Sequence, residues 1–287
     1  MNVLFYTDIV SLKSETDTTN YVLSAIKKKY AVEVCTTEDI HRSKGADLIF
    51  NRFDVSWKDD FLFDLHKTYN DGSRIFVNDP LSKINYQSKE YLLQFSELIP
   101  PTVFTESVFD LVNFLENGED VVIKPYDLNK GTGVTRLQKG AFSKKELEIF
   151  FESYLQKYGK VIAQNYVLEI ETKGDKRLNI INGEPVSAYS RLAKDSFFSA
   201  DGVHDSSADR FSGEVTVRDK EIANVIRPFL LKNNILWAGI DILGDKYLGE
   251  INVSSPAGLY WADKLNGTTE SLDAIVSFVD QCANRYK

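Results

Sequence analysis

An aspartate, a glutamate and an asparagine lie within GIDILGDKYLGEINVSSP, residues 239–256, at spacings that let their oxygens share one face of a β-hairpin. Gly244-Asp245 separates two runs of alternating apolar residues and reads as a two-residue type II′ turn. That loop pairs Leu243 with Lys246 and Asp241 with Leu248. Asp241, Leu248, Glu250 and Asn252 then point one way, and Ile240, Ile242, Ile251 and Val253 form a core face. A three-residue loop would turn Asp241 to the wrong face. Two carboxylates and an amide oxygen on one wall call for a cation or a basic side chain between them. Hard oxygen ligands suit Mg²⁺, which completes its shell with water and substrate phosphates. From the hairpin alone, a solvated strand face with ordinary acids is an equal alternative.

A second chemical feature is the apolar run Val121-Val122-Ile123 ending in Lys124-Pro125, followed by a loop from Asp127 to Gly133. A lysine closing a strand presents its ammonium at the edge, where it can meet a phosphate oxygen. The loop carries Lys130, Gly131 and Gly133 and can fold backbone N–H groups around an anion, although its spacing is not that of a Walker loop and a plain turn fits as well. A third feature is Gly174-Asp175-Lys176-Arg177, which opens a hairpin around Asn182-Gly183, a strong short-range turn signal. Arg177 has the planar fork that clamps a phosphoryl group or a carboxylate, and an ordinary ion pair is its plain alternative. Arg191 is a second candidate, which strict hairpin arithmetic puts on the opposite face. Pro185 lacks an N–H for the ladder and can force a bulge that re-aims that strand.

The first third of the chain alternates strands (2–7, 32–36, 47–50, 74–77) with helices (18–29, 60–69), which implies a mainly parallel sheet. A helical stretch at 82–96 follows Asn78-Asp79-Pro80. The middle section reads as strands at 103–104, 121–124, 134–137 and 160–167 with helices at 109–115 and 144–158. Beyond the Asn-Gly hairpin, 193–213 reads as polar and irregular. Ile222, Val225, Ile226, Phe229 and Leu230 mark a helix face that Pro228 should kink, and a last helix spans 272–285.

With 287 residues, 43% of them hydrophobic, the chain can bury a large core. Its net charge of −8 argues against a nucleic-acid surface. No apolar run approaches the ~20 residues that span a bilayer. The start, MNVLFYTDIV, reads as a strand and lacks the sections of a signal peptide, so a cytoplasmic location is expected. Cys35 and Cys282 read as reduced structural thiols, and His41, His66 and His204 as isolated histidines.

Taken in order, VNDP with Lys89 downstream, LIPPTVFT, VIKP and its loop, AQNYV, GDKRLNIINGEPV and GIDILGDKYLGEINVSSP resemble the ATP-grasp superfamily, specifically the prokaryotic-type glutathione synthetases, from about Val77 to Pro256. The resemblance implies an α/β chain, α+β in its C-terminal half: an ATP-grasp fold behind an N-terminal parallel-sheet (pre-ATP-grasp) domain. The expected division is 1–84, 85–164 (the lid subdomain) and 165–287. The resemblance also implies ATP with Mg²⁺, two ions in number, with Mn²⁺ as a substitute. Adenine would lie near Gln164, Asn165, Tyr166 and Val167. Lys89 and Lys124 would contact the phosphates, and the loop with Asp127, Lys130, Gly131 and Gly133 would close over them, with Asp175 counted among the nucleotide residues. Asp241, Glu250 and Asn252 would hold the metal, and Arg177 and Arg191 would be catalytic. The implied reaction is phosphorylation of a small carboxylate by ATP, then attack of an amine to form an amide. Related enzymes are often homo-oligomers.

Three departures bear on substrate. Leu128, Asn129 and Lys130 replace a glycine-richer lid, Asn51-Arg52-Phe53-Asp54 replaces a longer proline-containing segment, and residues 192–213 do not match the segment that grips γ-glutamylcysteine. The expectation is therefore a carboxylate–amine ligase with a different acceptor pocket. Glutathione synthetase proper, a phosphotransferase and a non-catalytic ATP-binding module are the alternatives.

Overall fold

Apolar strands with no polar face demand cover on both sides, and the N-terminal third obeys this rule. The computed structural model describes residues 1–36, 45–53, 59–69, 72–86, 88–126, 132–193 and 208–285. Strands β1 (Asn2–Thr7), β2 (Ala31–Cys35), β3 (Leu48–Arg52) and β4 (Ile75–Val77) pair in parallel in the order β2-β1-β3-β4. Helices α1 (Ile9–Lys13), α2 (Thr18–Ile26) and α3 (Asp59–Tyr69) connect them. One face buries Val3, Phe5, Leu48 and Phe50, and the other Leu4, Tyr6, Ile49 and Phe53.

The helix expected over 82–96 is two pieces. Helix α4 (Pro80–Asn85) starts early because Asp79 caps it and Pro80 occupies its first turn, where a missing N–H is harmless. A 3₁₀ helix (Lys89–Phe95) follows, with the Lys89 N–H donating to the Tyr126 carbonyl and the Tyr91 hydroxyl to the Ile251 carbonyl. These tertiary bonds override the local helical preference and swing Lys89 inward.

A second sheet is antiparallel, β5-β8-β6-β7, formed by β5 (Thr102–Thr105), β6 (Val121–Pro125), β7 (Thr135–Leu137) and β8 (Val161–Asn165). Helices α5 (Val108–Asn117) and α6 (Lys144–Tyr158) seal one face through Leu111, Leu115, Leu147 and Phe151. A short helix α7 (Ile170–Lys173), not foreseen, leads into the third sheet.

That sheet is β11-β10-β9-β12-β13, antiparallel, from β9 (Asp175–Ile181), β10 (Glu184–Ala193), β11 (Ala208–Gly213), β12 (Trp237–Leu243) and β13 (Tyr247–Asn252). Strand β11 corrects the reading of 193–213 as irregular for residues 208–213, and 194–207 lie outside the described residues. It is an edge strand with little burial, so it lacks the apolar alternation that marks a half-buried strand. Helix α8 (Val217–Lys232) runs through Pro228 and packs Ile222, Ile226 and Leu230 on Leu178, Ile180 and Ile240. Helices α9 (Leu259–Asn266), unforeseen, and α10 (Glu270–Arg285) pack with the N-terminal sheet: Leu259, Ile275 and Phe278 share a core with Val3, Phe5 and Phe50. The division at 84 and 164 stands as a proposal, with the first and last parts sharing that core. No helix of the described residues is long and apolar enough to cross a membrane.

Candidate functional site

The chemistry-bearing residues of the third sheet sit on neighbouring strands, and two local irregularities bring them to one face. Gly244 (φ 58°) and Asp245 (φ 61°) both adopt left-handed conformations, and the loop has three residues, 244–246, with Leu243 opposite Tyr247 and Ile242 opposite Leu248. The expected two-residue loop is thus corrected, and Leu248 lies in the core. Continued without a break, that register would set Asp241 against Gly249. A bulge at Gly249, opposite the step from Asp241 to Ile242, instead pairs Asp241 with Glu250 and Gly239 with Asn252, so the acids regain a common face. A Cβ on Gly249 would meet the Leu243 side chain at 2.8 Å, so the bulge is closed around a bare backbone.

The same device acts on β10. The register shifts between Pro185 and Ser187, which sets Arg191 opposite Asp175 and therefore on the same face as Arg177. This corrects the opposite-face expectation for Arg191 and agrees with the bulge foreseen at Pro185.

Both guanidinium groups converge on Asp241. Its Oδ1 accepts from Arg177 Nε at 2.6 Å and Arg191 Nη2 at 2.9 Å, and its Oδ2 from Arg177 Nη2 at 3.2 Å and Asn252 Nδ2 at 2.9 Å. Arg191 also grips Asp175, Nε to Oδ1 at 3.2 Å and Nη2 to Oδ2 at 2.5 Å, and Arg177 Nη1 donates to the Ala257 carbonyl at 3.0 Å. All four charged side chains are buried. Buried charges persist when they are paired and hydrogen-bonded, as here. Asp175, expected at a nucleotide, orients Arg191.

Gly174 (φ 70°) lets β9 begin against β10: a Cβ there would fall 1.8 Å from the Arg191 carbonyl oxygen. Gly174→Ala is expected to destabilise the fold by roughly 3 kcal/mol, from left-handed strain plus backbone displacement. A denaturant-unfolding midpoint checks it.

Facing this wall are two ammonium groups from other elements. Lys89 Nζ lies 3.4 Å from Glu250 Oε1, and Lys124 Nζ donates to Gln164 Oε1 at 3.4 Å. Burial, then the neighbouring Lys89 charge, push the Lys124 ammonium down to about 8, with Glu250 acting the other way. The folded protein therefore loses this proton as pH rises through about 8. If the ammonium meets phosphate, nucleotide affinity is flat below that point and falls by up to about tenfold per pH unit above it. Calorimetry near pH 8 in buffers of different ionisation enthalpy should show proton uptake on nucleotide binding, and Lys124→Met should remove both effects.

Of the residues expected around adenine, Gln164 is buried between Lys124 and Thr102, its Nε2 donating to Thr102 Oγ1 at 2.8 Å, and Val167 is buried beyond it. Asn165 anchors its N–H on the Pro101 carbonyl, and its buried Oδ1 has no partner among the described residues. Tyr166 lies under Arg136, 3.7 Å from the ring centroid, with its hydroxyl donating to Glu171. Arg136 also bonds Asp120 and Glu171, a network that no motif announced. Asp127, Lys130 and Gly131 lie outside the described residues, as do His41 and His204. Gly133 (φ 76°) is tied to α6 by the Tyr154 hydroxyl at 2.6 Å. Another unforeseen contact is Lys176, buried between Asp219 at 3.2 Å and Asp245 at 2.7 Å, which fastens the 244–246 loop to α8.

The donor set fits a hard cation that brings ligands of its own. Among the described residues, no three His, Cys, Asp or Glu side chains surround one point. The wall offers two carboxylates and the Asn252 amide oxygen. Asp241 is shared with two arginines, whereas Glu250 remains part-exposed beside Lys89. Mg²⁺ entering with nucleotide phosphates meets that description.

Residues 88–267 match the family described as prokaryotic glutathione synthetase, ATP-grasp domain. A glutathione synthetase of Agrobacterium fabrum is 32% identical over 204 residues, 67% of this chain and 59% of that protein. The chain thus spans about three-fifths of that relative's length. Among solved structures, D-cycloserine synthetase DcsG superposes with a TM-score of 0.68 at 16% identity, covering 96% of this chain and 99% of that one. A D-alanine–D-alanine ligase from Bacillus anthracis superposes with a TM-score of 0.63 at 16% identity over the whole of both chains. At such identities the likeness establishes the ATP-grasp fold. The family match over most of the chain goes further: this protein belongs to the prokaryotic glutathione synthetase ATP-grasp family.

Proposed function

We propose that the chain is an ATP-dependent carboxylate–amine ligase that forms an amide through an acyl phosphate. The observation that carries this reading is the meeting of Lys89 and Lys124 with Glu250 and, through the paired strands, with Asp241 and Asn252. Ammonium groups from two elements stand beside the acid oxygens of the β12–β13 hairpin. Phosphoryl transfer needs positioning and charge neutralisation, so a site without a proton-transfer histidine is suited to it.

In this reading a substrate carboxylate oxygen attacks the γ-phosphorus and ADP leaves. An amine then attacks the acyl carbon, phosphate departs, and the amine proton passes to phosphate or solvent. Mg²⁺, in one or two ions and replaceable by Mn²⁺, would neutralise the phosphates between Glu250, Asn252 and Asp241. Lys89 and Lys124 would contact the nucleotide phosphates. Arg177 and Arg191, fixed by Asp241 and Asp175, would supply positive charge where negative charge develops in the transition state. The residues from Gln164 to Val167 would take the base. Both cysteines are buried thiols, which fits a cytoplasmic setting.

The relatives' name makes γ-glutamylcysteine and glycine one substrate pair to test. The segment 192–213, which does not match the one that grips γ-glutamylcysteine, favours a different substrate in that pocket. ADP release over a panel of small carboxylates crossed with amino acids, that pair included, decides. Turnover is expected only when acid and amine are both present. Release with acid alone and accumulation of a phosphorylated acid would make the protein a phosphotransferase. Nucleotide binding without release across the panel would make it a binding module.

A further inference from the structure

Asn78 follows β4 at the end of the N-terminal sheet and is 2% exposed, yet its side chain bonds into the third sheet. Nδ2 donates to the Trp237 carbonyl at 2.6 Å and to the Val253 carbonyl at 2.8 Å, and Oδ1 accepts from the Trp237 N–H at 2.8 Å. Exchanging both bonds with one residue is what a backbone partner does in an antiparallel ladder. The second Nδ2 hydrogen then carries the tie across from β12 to the chain leaving β13. Trp237 and Val253 are buried, so their backbone groups need such partners.

The position of these bonds connects them to the metal wall. The β12–β13 ladder ends with Gly239 opposite Asn252, while Ala238 and Trp237 pair with Ile180 and Ile181 of β9. Asn252 is therefore the last rung of β13, where strands fray first. Asn78 adds a tie just beyond that rung, between the residue after Asn252 and the residue two before Gly239. The Asn252 side chain depends on that alignment: its Nδ2 donates to the Gly239 carbonyl at 3.2 Å and to Asp241 Oδ2 at 2.9 Å. With the nitrogen committed, the amide oxygen is the atom left for a cation.

Neighbouring ties run elsewhere. The Asp79 N–H donates to the Asn234 carbonyl at 3.3 Å, the Ser82 hydroxyl to the Asn233 carbonyl, and the Tyr86 hydroxyl to Asn233 Oδ1 at 2.8 Å. These fasten α4 to the turn between α8 and β12. In the VNDP motif, Asp79 caps α4, Pro80 fills its first turn, and Asn78 is the member that reaches the metal-bearing strands. Val77, Phe50 and Trp237 share a core, which gives that reach a packed base.

We propose that Asn78 is a positioning residue for the cation: by tying down the end of β13 it holds Asn252 where its amide oxygen can serve as a ligand. This rests on the ligase reading for the presence of a metal nucleotide, and binding tests it without turnover. ADP affinity of the full chain is measured by calorimetry from zero to saturating Mn²⁺. Asn78→Ala is expected to raise the Mn²⁺ needed for half-maximal tightening about five- to tenfold, with metal-free ADP affinity changed less than twofold. In an Asn252→Ala background the same substitution should add less than twofold, because the residue it acts through is gone. Ser82→Ala, which cuts a neighbouring tie, should lower the melting temperature and leave the Mn²⁺ requirement as it was. Asn78→Ser keeps a hydroxyl for one of the three partners and decides the matter should the alanine variant not fold, its requirement then rising at least threefold. The proposal is overturned when a folded Asn78 variant keeps the wild-type Mn²⁺ requirement, when the Asn78 and Asn252 effects multiply, or when Ser82→Ala raises the requirement equally. Wild-type ADP binding that ignores Mn²⁺ would overturn it together with the metal wall. A negative ADP-release panel beside the expected titrations would reject the ligase reading and leave the role of Asn78 standing.

Discussion

Glu250→Gln is expected to lower kcat at least ~100-fold, equivalent to about 2.7 kcal/mol of transition-state stabilisation, while the protein folds as before. The side chain is 29% exposed and its salt bridge is to Lys89 at 3.4 Å, so its loss should change stability by less than about 1 kcal/mol. The isosteric amide keeps β13 in register, because that register depends on backbone pairing and on Leu248 and Ile251 in the core. What disappears is a negative charge facing Lys89 and Lys124. With one carboxylate fewer on the wall, half-maximal ADP release should also need more Mg²⁺. Steady-state ADP release across a Mg²⁺ titration, beside a thermal melt, reads both effects. A variant with wild-type turnover and an unmoved Mg²⁺ requirement would remove Glu250 from the metal role.

How far the sequence could carry the site depends on which residues signal through backbone pattern. Asn182-Gly183 announced its hairpin because both positions adopt left-handed backbone, and Pro185 announced a bulge because it lacks a donor. Lys124 was legible as the end of an apolar strand. The common face of Asp241, Glu250 and Asn252 was reached from a loop one residue too short, and a compensating bulge at Gly249 restored it. A glycine between two polar or apolar neighbours says nothing about whether it pairs or bulges, so the compensation was invisible. The inward turn of Lys89 depends on Tyr91 reaching Ile251, a contact 160 residues away in sequence. The Asp219–Lys176–Asp245 and Asp120–Arg136–Glu171 groups join distant segments and leave no periodic trace. Arg52 was visible only as a departure from the family pattern. Its burial against the Trp237 ring and the Pro256 carbonyl is a property of the assembled fold.

Asp241→Asn makes the same chemical change on the strand opposite Glu250, and the expected result is the reverse in kind: loss of fold stability by about 3–5 kcal/mol. Asp241 accepts hydrogen bonds from the guanidinium groups of Arg177 and Arg191 and from the Asn252 amide, and its side chain is 4% exposed. The amide removes the charge, turns one accepting atom into a donor, and leaves two buried arginines with Asp175 as the carboxylate gripping Arg191. A thermal melt should fall by on the order of 10 °C. Adding Arg177→Met should recover part of that loss, since removing both partners abolishes the unpaired charge, and a double-mutant cycle would give the coupling. Activity should not return with stability. If it did, the arginine cluster would be packing alone. An apolar set of the same volume holds a sheet together as well as a buried ionic cluster does. Four charges on adjacent strands, aligned by two separate bulges, are therefore explained better by a reaction that develops negative charge against them. On that argument Asp241 would orient the arginines and would also be one of the residues holding the cation, and the recovered but inactive double variant is the result that separates the two roles.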